Sequence, residues 1–304
     1  MATKGVILAE RPDVLELELD PLTRKVYLEL SEPSLADNRA DVDRLVAALQ
    51  GKLGGPVVVH LDLMRRVPSA LREAGWQVTA TVGFLAPGLW SLVDLEAGDT
   101  TRRHFGLAVD IGTTTVVAYL VDMRNGQVLG AAADYNGQVS AGEDLLTRIC
   151  LAGTPGGLEQ LQRALINTLN GLIKRLAQSH ELEAREISAV AVGANTTMVH
   201  LFLGLDPSRI CMAPYIPVTN NPGLVTAGEL GLTVNPHAPV YCLPSVASYL
   251  GGDVVGGVLA SGLHRRSELS LFVDIGTNAE IILGNRDWLL GCAGAAGPAL
   301  EGGV

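Results

Sequence analysis

The tetrapeptide Asp-Ile-Gly-Thr occurs twice in this chain, beginning at Asp110 and again at Asp274, 164 positions later. Each copy sits between apolar runs: FGLAVDIGTTTVVAY covers residues 105–119 and SLFVDIGTNAEIIL covers residues 270–283. Each second run closes on polar turn residues, Met123-Arg124-Asn125-Gly126 in the first copy and Gly284-Asn285-Arg286-Asp287 in the second. Asn-Gly between two apolar runs is a strong hairpin signal. The pattern predicts two strand–bend–strand units, each with an aspartate ending its first strand. Two such units in matching contexts predict two pseudo-equivalent lobes facing one ligand.

The chemistry of the bends points to phosphate. Gly112 and Gly276 have no Cβ, so the backbone can turn sharply and present consecutive N–H groups to an anion. Thr113, Thr114 and Thr115 add hydroxyl donors to the first bend, and Thr277 and Asn278 add side-chain donors to the second. Asp110 and Asp274 repel phosphate, but they suit the Mg²⁺ that accompanies it or an attacking water.

The paired bends resemble the phosphate-1 and phosphate-2 loops of the actin–sugar kinase–chaperone (ASKHA) ATPase superfamily. Within it the whole chain resembles the reductive activators of corrinoid proteins. Four motifs carry the resemblance in order: DIGTTT at 110–115, GANTTM at 193–198, DIGTN at 274–278 and AGPALEGG at 296–303. Ala194 is an insertion relative to the tightest form of the second motif. The resemblance implies an α/β fold: a ribonuclease-H-like ATPase lobe, with its second lobe incomplete, preceded by a small α/β middle domain. It also implies ATP and Mg²⁺ as cofactors, with Asp110 and Asp274 catalytic and metal-binding. Gly112, Thr113, Thr114, Thr115, Asn195, Thr196, Gly276, Thr277 and Asn278 are then the nucleotide-binding residues. Asn195-Thr196-Thr197 between a strand and a helix reads equally well as a plain N-cap.

The activity implied is ATP-dependent reduction of a corrinoid protein from Co(II) to Co(I). The implied partners are a corrinoid protein or corrinoid-dependent methyltransferase and an electron-donating ferredoxin domain with a 2Fe-2S cluster; a homodimer is compatible. Cys150, Cys211, Cys242 and Cys292 are 61, 31 and 50 positions apart, a spacing with no metal knuckle and no ferredoxin run. The iron–sulfur ligands are therefore expected on sequence outside this chain.

A formal charge of −10 argues against a nucleic-acid surface or an anionic-membrane anchor. Neither an uninterrupted apolar span nor a basic-then-apolar leader occurs, which predicts a cytoplasmic protein. Residues 1–104 hold 27 charged side chains and 8 glycines; residues 105–304 hold 27 of each in about twice the length. That shift, with the polar turn at 99–104, predicts three segments. These are a linker over 1–22 with a strand at Val14–Leu19, a small α/β domain over 23–104, and the ATPase domain over 105–304.

In the small domain the pattern predicts strands at Lys25–Leu30, Val57–Leu61, Gln77–Val82 and Trp90–Leu95. Helices are predicted at Asn38–Leu49 and Pro68–Ala74. In the large domain a third strand is expected at Val128–Ala133, then a helix starting near Glu143. A long helix at Leu158–Ala177, a strand at Ile187–Val192 and a helix at Met198–Leu203 follow. Glu143 and Asp144 read either as helix-start acids or as neighbours of the metal. Ser245–Ala260 reads as a glycine-rich helix in which Asp253 should face a polar partner. About 35 residues follow Leu269, too few for a complete second lobe, which makes the chain read as a fragment. Two other functions stay open: a small-molecule kinase of the same superfamily, and a non-catalytic nucleotide- or partner-binding module.

Overall fold

The computed structural model describes residues 19–276 and 278–295. All but the last residue of the strand expected at Val14–Leu19, Thr277 of the second bend and the run 296–303 lie outside the described residues.

The N-terminal unit contains β1 (Thr23–Glu29), α1 (Asp41–Leu53), β2 (Val57–Val58), α2 (Leu61–Glu73), β3 (Gln77–Ala86) and β4 (Leu89–Ala97). Its sheet runs β1-β3-β4-β2, antiparallel except where β2 joins β4. The helix expected to begin at Pro68 begins at Leu61 instead and keeps Pro68 in its interior. Spacing explains the difference. Leu63, Val67 and Leu71 recur every fourth residue and are buried. Their burial, roughly 1.5–3 kcal/mol each, offsets the ~3 kcal/mol cost of an interior proline. The strand expected over Val57–Leu61 shrinks to two residues because the helix takes its end.

The larger unit opens with an antiparallel meander of β5 (Phe105–Ile111), β6 (Thr115–Asp122) and β7 (Gln127–Tyr135). There follow α3 (Leu145–Ala152), α4 (Gly157–Ser179), β8 (Ile187–Ala194), α5 (Thr196–Leu203), β9 (Leu224–Thr226), α6 (Ala227–Leu230) and β10 (Pro239–Cys242). The sheet order is β7-β6-β5-β8-β10-β9, with β8 parallel to both β5 and β10. This is the ribonuclease-H-like plan. Leu161, Leu165, Leu169, Leu172 and Leu176 of α4 are buried in one core with Leu107, Val109, Leu120 and Val190 of the sheet.

The chain then forms α7 (Gly252–Ser261) and a second, antiparallel sheet of β11 (Ser270–Ile275), β12 (Asn278–Gly284) and β13 (Leu289–Ala295). The helix expected from Ser245 starts seven residues later. The amides of Ser245 and Val246 instead donate to Asn220 and Leu250, both at 2.8 Å, and paired glycines disfavour helix at the junction. Helix α7 lies against both β8 and β11. Gly257 permits the second contact: a Cβ there would sit 2.2 Å from the ring of Phe272. So α7 joins the two sheets at closest approach.

A polar seam joins the two units. Thr23 Oγ1 lies 2.9 Å from His104 Nε2 and 3.0 Å from Ser188 Oγ. Arg103 pairs with Glu186 at 2.7 Å, Asn235 Nδ2 donates to Asp94 at 3.1 Å, and His237 meets Asp62 at 2.7 Å. Burial, reinforced by Lys25, pushes His104 down to about 4.

Candidate functional site: a carboxylate-lined cleft between two glycine bends

The two bends face one cleft of about 480 Å³, lined by Asp110, Gly112, Thr113 and Thr115 from one side and Asp274, Gly276 and Asn278 from the other. Asp110 stands one residue from the end of β5 and pairs in register with Gly193 of β8; Asp274 stands likewise one residue from the end of β11. In the first bend the Gly112 amide donates to the Thr115 carbonyl at 2.8 Å. A Cβ on Gly112 would lie 2.7 Å from that oxygen, which is why only glycine closes this turn. In the second bend the Gly276 amide donates to the Asn278 carbonyl, making it one residue tighter.

The first bend is braced from behind by two side chains that the sequence did not single out. Asn136 Nδ2 donates to the Gly112 carbonyl at 2.9 Å, and the Asn136 amide to the Thr114 carbonyl at 2.8 Å. Arg148, fully buried, donates to the carbonyls of Thr113 (2.7 Å) and Gly142 (2.8 Å) and to Gln138 Oε1 (3.2 Å). Burial, only partly offset by the charge of Asp144, pushes its guanidinium down to about 10.

Two helix starts also open on the cleft. Asn195 caps α5 by accepting from the Met198 amide at 2.9 Å and reaches Thr113 Oγ1 at 3.4 Å. Capping and site placement therefore coincide in this residue. Gly252 and Asp253 of the first turn of α7 line the same cleft. Both helices point their positive dipole ends at the cleft, a favourable setting for an anion, while the Met198 amide is held by Asn195 and the Val254 amide by Asp253. Thr196 is placed differently: buried, its hydroxyl donates to the Ala247 carbonyl at 2.8 Å and it does not line the cleft. Asp144 caps α3 through Thr147, at 2.9 Å to its amide and 2.7 Å to its hydroxyl, and lines a neighbouring cavity rather than the cleft.

Four carboxylates line the cleft: Asp110, Asp253, Asp274 and Glu280. No Lys, Arg or His is among the described residues lining it. Asp110 is open to cleft water on one side and enclosed on the others; desolvation, then Asp253 and Asp274, push it up to about 6. Glu280 is pushed up to about 7 by desolvation, Asp253 and Asp274. Desolvation also raises Asp253 and Asp274. Asp253 was legible as an acid out of place in a small-residue helix. Glu280 was not read as a site residue; its signal is a glutamate interrupting the apolar strand of the second bend.

Among the described residues no three Asp, Glu, His or Cys side chains converge closely enough to hold an ion by themselves. The donor set still fits Mg²⁺, which binds through one or two carboxylates, waters and substrate phosphates rather than a protein cage. The cysteines do not fit a 2Fe-2S cluster. Cys242 is buried with its thiol pushed up to about 12, and Cys150 and Cys292 are exposed and unpaired.

Residues 105–266 match the family model described as the RACo middle region, residues 13–102 the RACo linker region, and residues 268–304 the C-terminal domain of RACo, the ASKHA domain. The chain belongs to the RACo family. Among its relatives is the corrinoid activation enzyme RamQ of Eubacterium limosum, 34% identical over 209 residues, covering 68% of this chain and 35% of RamQ. A reductase of Methanosarcina barkeri, named for the Co(II) methylated amine-specific corrinoid protein, is 24% identical over 207 residues, covering 65% of this chain and 37% of the reductase. The solved structure of a reductive activator for corrinoid, iron-sulfur protein superposes with a TM-score of 0.86 at 44% identity. That match covers 95% of this chain and 46% of the other. This RACo-family chain thus spans little more than a third of its curated relatives and under half of that structure.

Proposed function

We propose that this chain is the nucleotide-handling part of an ATP-dependent reductive activator that returns a corrinoid protein from Co(II) to Co(I). The observation that carries the reading is the pairing of the two Asp-Ile-Gly-Thr bends across one cleft, in a chain of the RACo family. The amides of the bends and of the α5 and α7 starts hold the phosphates; Asp110 and Asp274 hold Mg²⁺, directly or through water. Mg²⁺ would supply charge neutralisation for the phosphates, which a cleft lined by carboxylates and no basic side chain needs.

Reduction of the corrinoid draws its free energy from nucleotide binding and hydrolysis, which biases how two hinged lobes hold the partner. The electron comes from a 2Fe-2S ferredoxin domain, on sequence outside this chain or on another protein. Residues 1–22 act as a linker, 23–104 as a small scaffold and docking domain, and 105–304 as part of the ATPase. No helix among the described residues is long and apolar enough to cross a membrane, and we place the protein in the cytoplasm. A homodimer is the assembly we expect.

The test is reduction of a Co(II) corrinoid protein by the intact activator with Mg·ATP, followed by the loss of the Co(II) spectrum. Asp110→Asn should abolish ATP hydrolysis and leave the fold intact; undiminished hydrolysis would show that another carboxylate matters. A cavity of about 640 Å³ adjoins the cleft and gives a small-molecule kinase reading its one support. Phosphorylation of a sugar or acetate, with no effect on the corrinoid protein, would favour that reading.

A further inference from the structure

We infer that Glu280 orients the water that attacks the γ-phosphate, a role that rests on the nucleotide reading above. Three observations converge on this residue. First, of the four cleft carboxylates only Glu280 also lines the adjoining 640 Å³ cavity; Asp110, Asp253 and Asp274 line the cleft alone. It therefore stands in the doorway between the phosphate site and the space from which a nucleophile arrives. The other residues in that doorway, Thr113, Asn195 and Asn278, belong to the bends and the α5 start, which would hold the terminal phosphate.

Second, the twin hairpins differ here. Asp110 is opposed by Val117 in the first hairpin, whereas Asp274 is opposed by Glu280 in the second. A glutamate directly across a strand pair from an aspartate is unfavourable for the fold, so packing does not account for it. Third, no Lys, Arg or His pairs with Glu280 among the described residues, so beyond the contact with its own backbone amide its carboxylate has acceptor positions left for a water. Leu145, Leu146, Ile149 and Ile210 on the cavity side limit how much water competes for that place.

In the step itself the water oxygen bonds to the γ-phosphorus as the bond from that phosphorus to the β,γ-bridging oxygen breaks. ADP leaves with the bridging electron pair, and the water's protons pass to the inorganic phosphate and to solvent. Glu280 accepts a hydrogen bond from the water and aims its lone pair. In phosphoryl transfer such positioning matters more than proton removal.

The experiment measures steady-state ATP hydrolysis and Mg·ATP affinity of the intact protein, with Glu280→Ala and Glu280→Gln beside the wild type. The expected result is a loss of kcat on the order of 10²-fold for Glu280→Ala. Mg·ATP affinity should stay within about threefold, and Glu280→Gln, which keeps one acceptor oxygen, should fall between. Thermal melts are expected to show both variants at least as stable as wild type, since a like charge opposite Asp274 is gone. An unchanged kcat overturns the inference, as does a parallel loss of Mg²⁺-dependent affinity, which would make Glu280 a metal ligand. A wild type that binds no Mg·ATP overturns the nucleotide reading itself, an outcome distinct from either.

Discussion

Asp274 and Glu280 occupy directly opposed positions on β11 and β12, two acids facing each other across a strand pair with no basic side chain between them among the residues lining the cleft. Burial raises both from their ordinary values, Glu280 to about 7 with Asp253 and Asp274 adding to the effect. A carboxyl raised in the folded state binds more protons folded than unfolded. Its stabilising share is therefore complete at low pH and is lost as pH rises through about 7. Asp274→Asn should raise the stability of the ligand-free protein at pH 8 by roughly 0.2–1 kcal/mol, with the gain fading by pH 5. Melting curves at the two pH values check this; a destabilised variant at pH 8 would mean the pair is not repulsive.

Arg148 gives a second prediction. Replacing it by Met leaves the carbonyls of Thr113 and Gly142 without their buried donor, at a cost of roughly 1–3 kcal/mol each. Because the Thr113 carbonyl belongs to the first bend, nucleotide affinity should drop along with stability. Arg148→Lys should rescue little, since an ammonium cannot span both carbonyls and Gln138 as the fork does. Denaturant unfolding and calorimetric titration with Mg·ATP measure the two effects. Full retention of affinity would uncouple Arg148 from the bend.

These residues also show what the sequence could and could not tell. The bends were legible because a four-residue motif, two apolar runs and one polar tip coincide twice, and the sheets formed where that pattern put them. The start of α2 was misplaced because Pro68 reads as a first-turn residue, while the Leu63, Val67 and Leu71 spacing that overrides it counts only against a partner surface. Arg148 was invisible for a different reason: its bond to Thr113 spans 35 positions, and nothing local distinguishes it from an exposed helical arginine. Glu280 was hidden by alternation, since a strand with one polar residue normally turns that residue to water.

The α7–β11 junction allows a test of how rigidly the two sheets are joined. Gly257→Ala drives a methyl into the Phe272 ring, where 2.2 Å is available. Overpacking of this kind costs typically about 1–3 kcal/mol. Phe272→Leu in the same chain should recover much of that cost while being mildly destabilising alone. A double-mutant cycle on unfolding free energies reads the coupling, and strict additivity would show that α7 shifts freely over the sheet.

His104 sets an acid limit on the seam between the two units. It sits at about 4 because it is buried beside Lys25, against an ordinary value of 6.5. The folded state then binds fewer protons than the unfolded one, so stability falls as pH drops from 6.5 toward 4, by up to ~3 kcal/mol. Asp110 and Glu280 work in the opposite direction over much of that range, so the whole-protein profile mixes the two. The difference between wild type and His104→Gln isolates the histidine. The variant should lose less stability on acidification, and parallel profiles would remove His104 from the account.

The outer face of the second sheet predicts behaviour in solution. Leu271, Val273 and Ile275 alternate outward along β11, and all three are exposed, Leu271 at 62%. Ile281, exposed as well, stands opposite Val273, and Leu290 on β13 is 65% exposed. A contiguous apolar face of this kind seldom stays uncovered in water. This 304-residue chain, prepared alone, should self-associate at micromolar concentration and bind a hydrophobic dye. Leu271→Thr together with Leu290→Thr keeps strand propensity while removing apolar area, and should shift the population toward monomer. Light scattering on a size-exclusion column reads the outcome. A wild-type chain that elutes as a clean monomer, indifferent to both substitutions, would show that this face needs no cover.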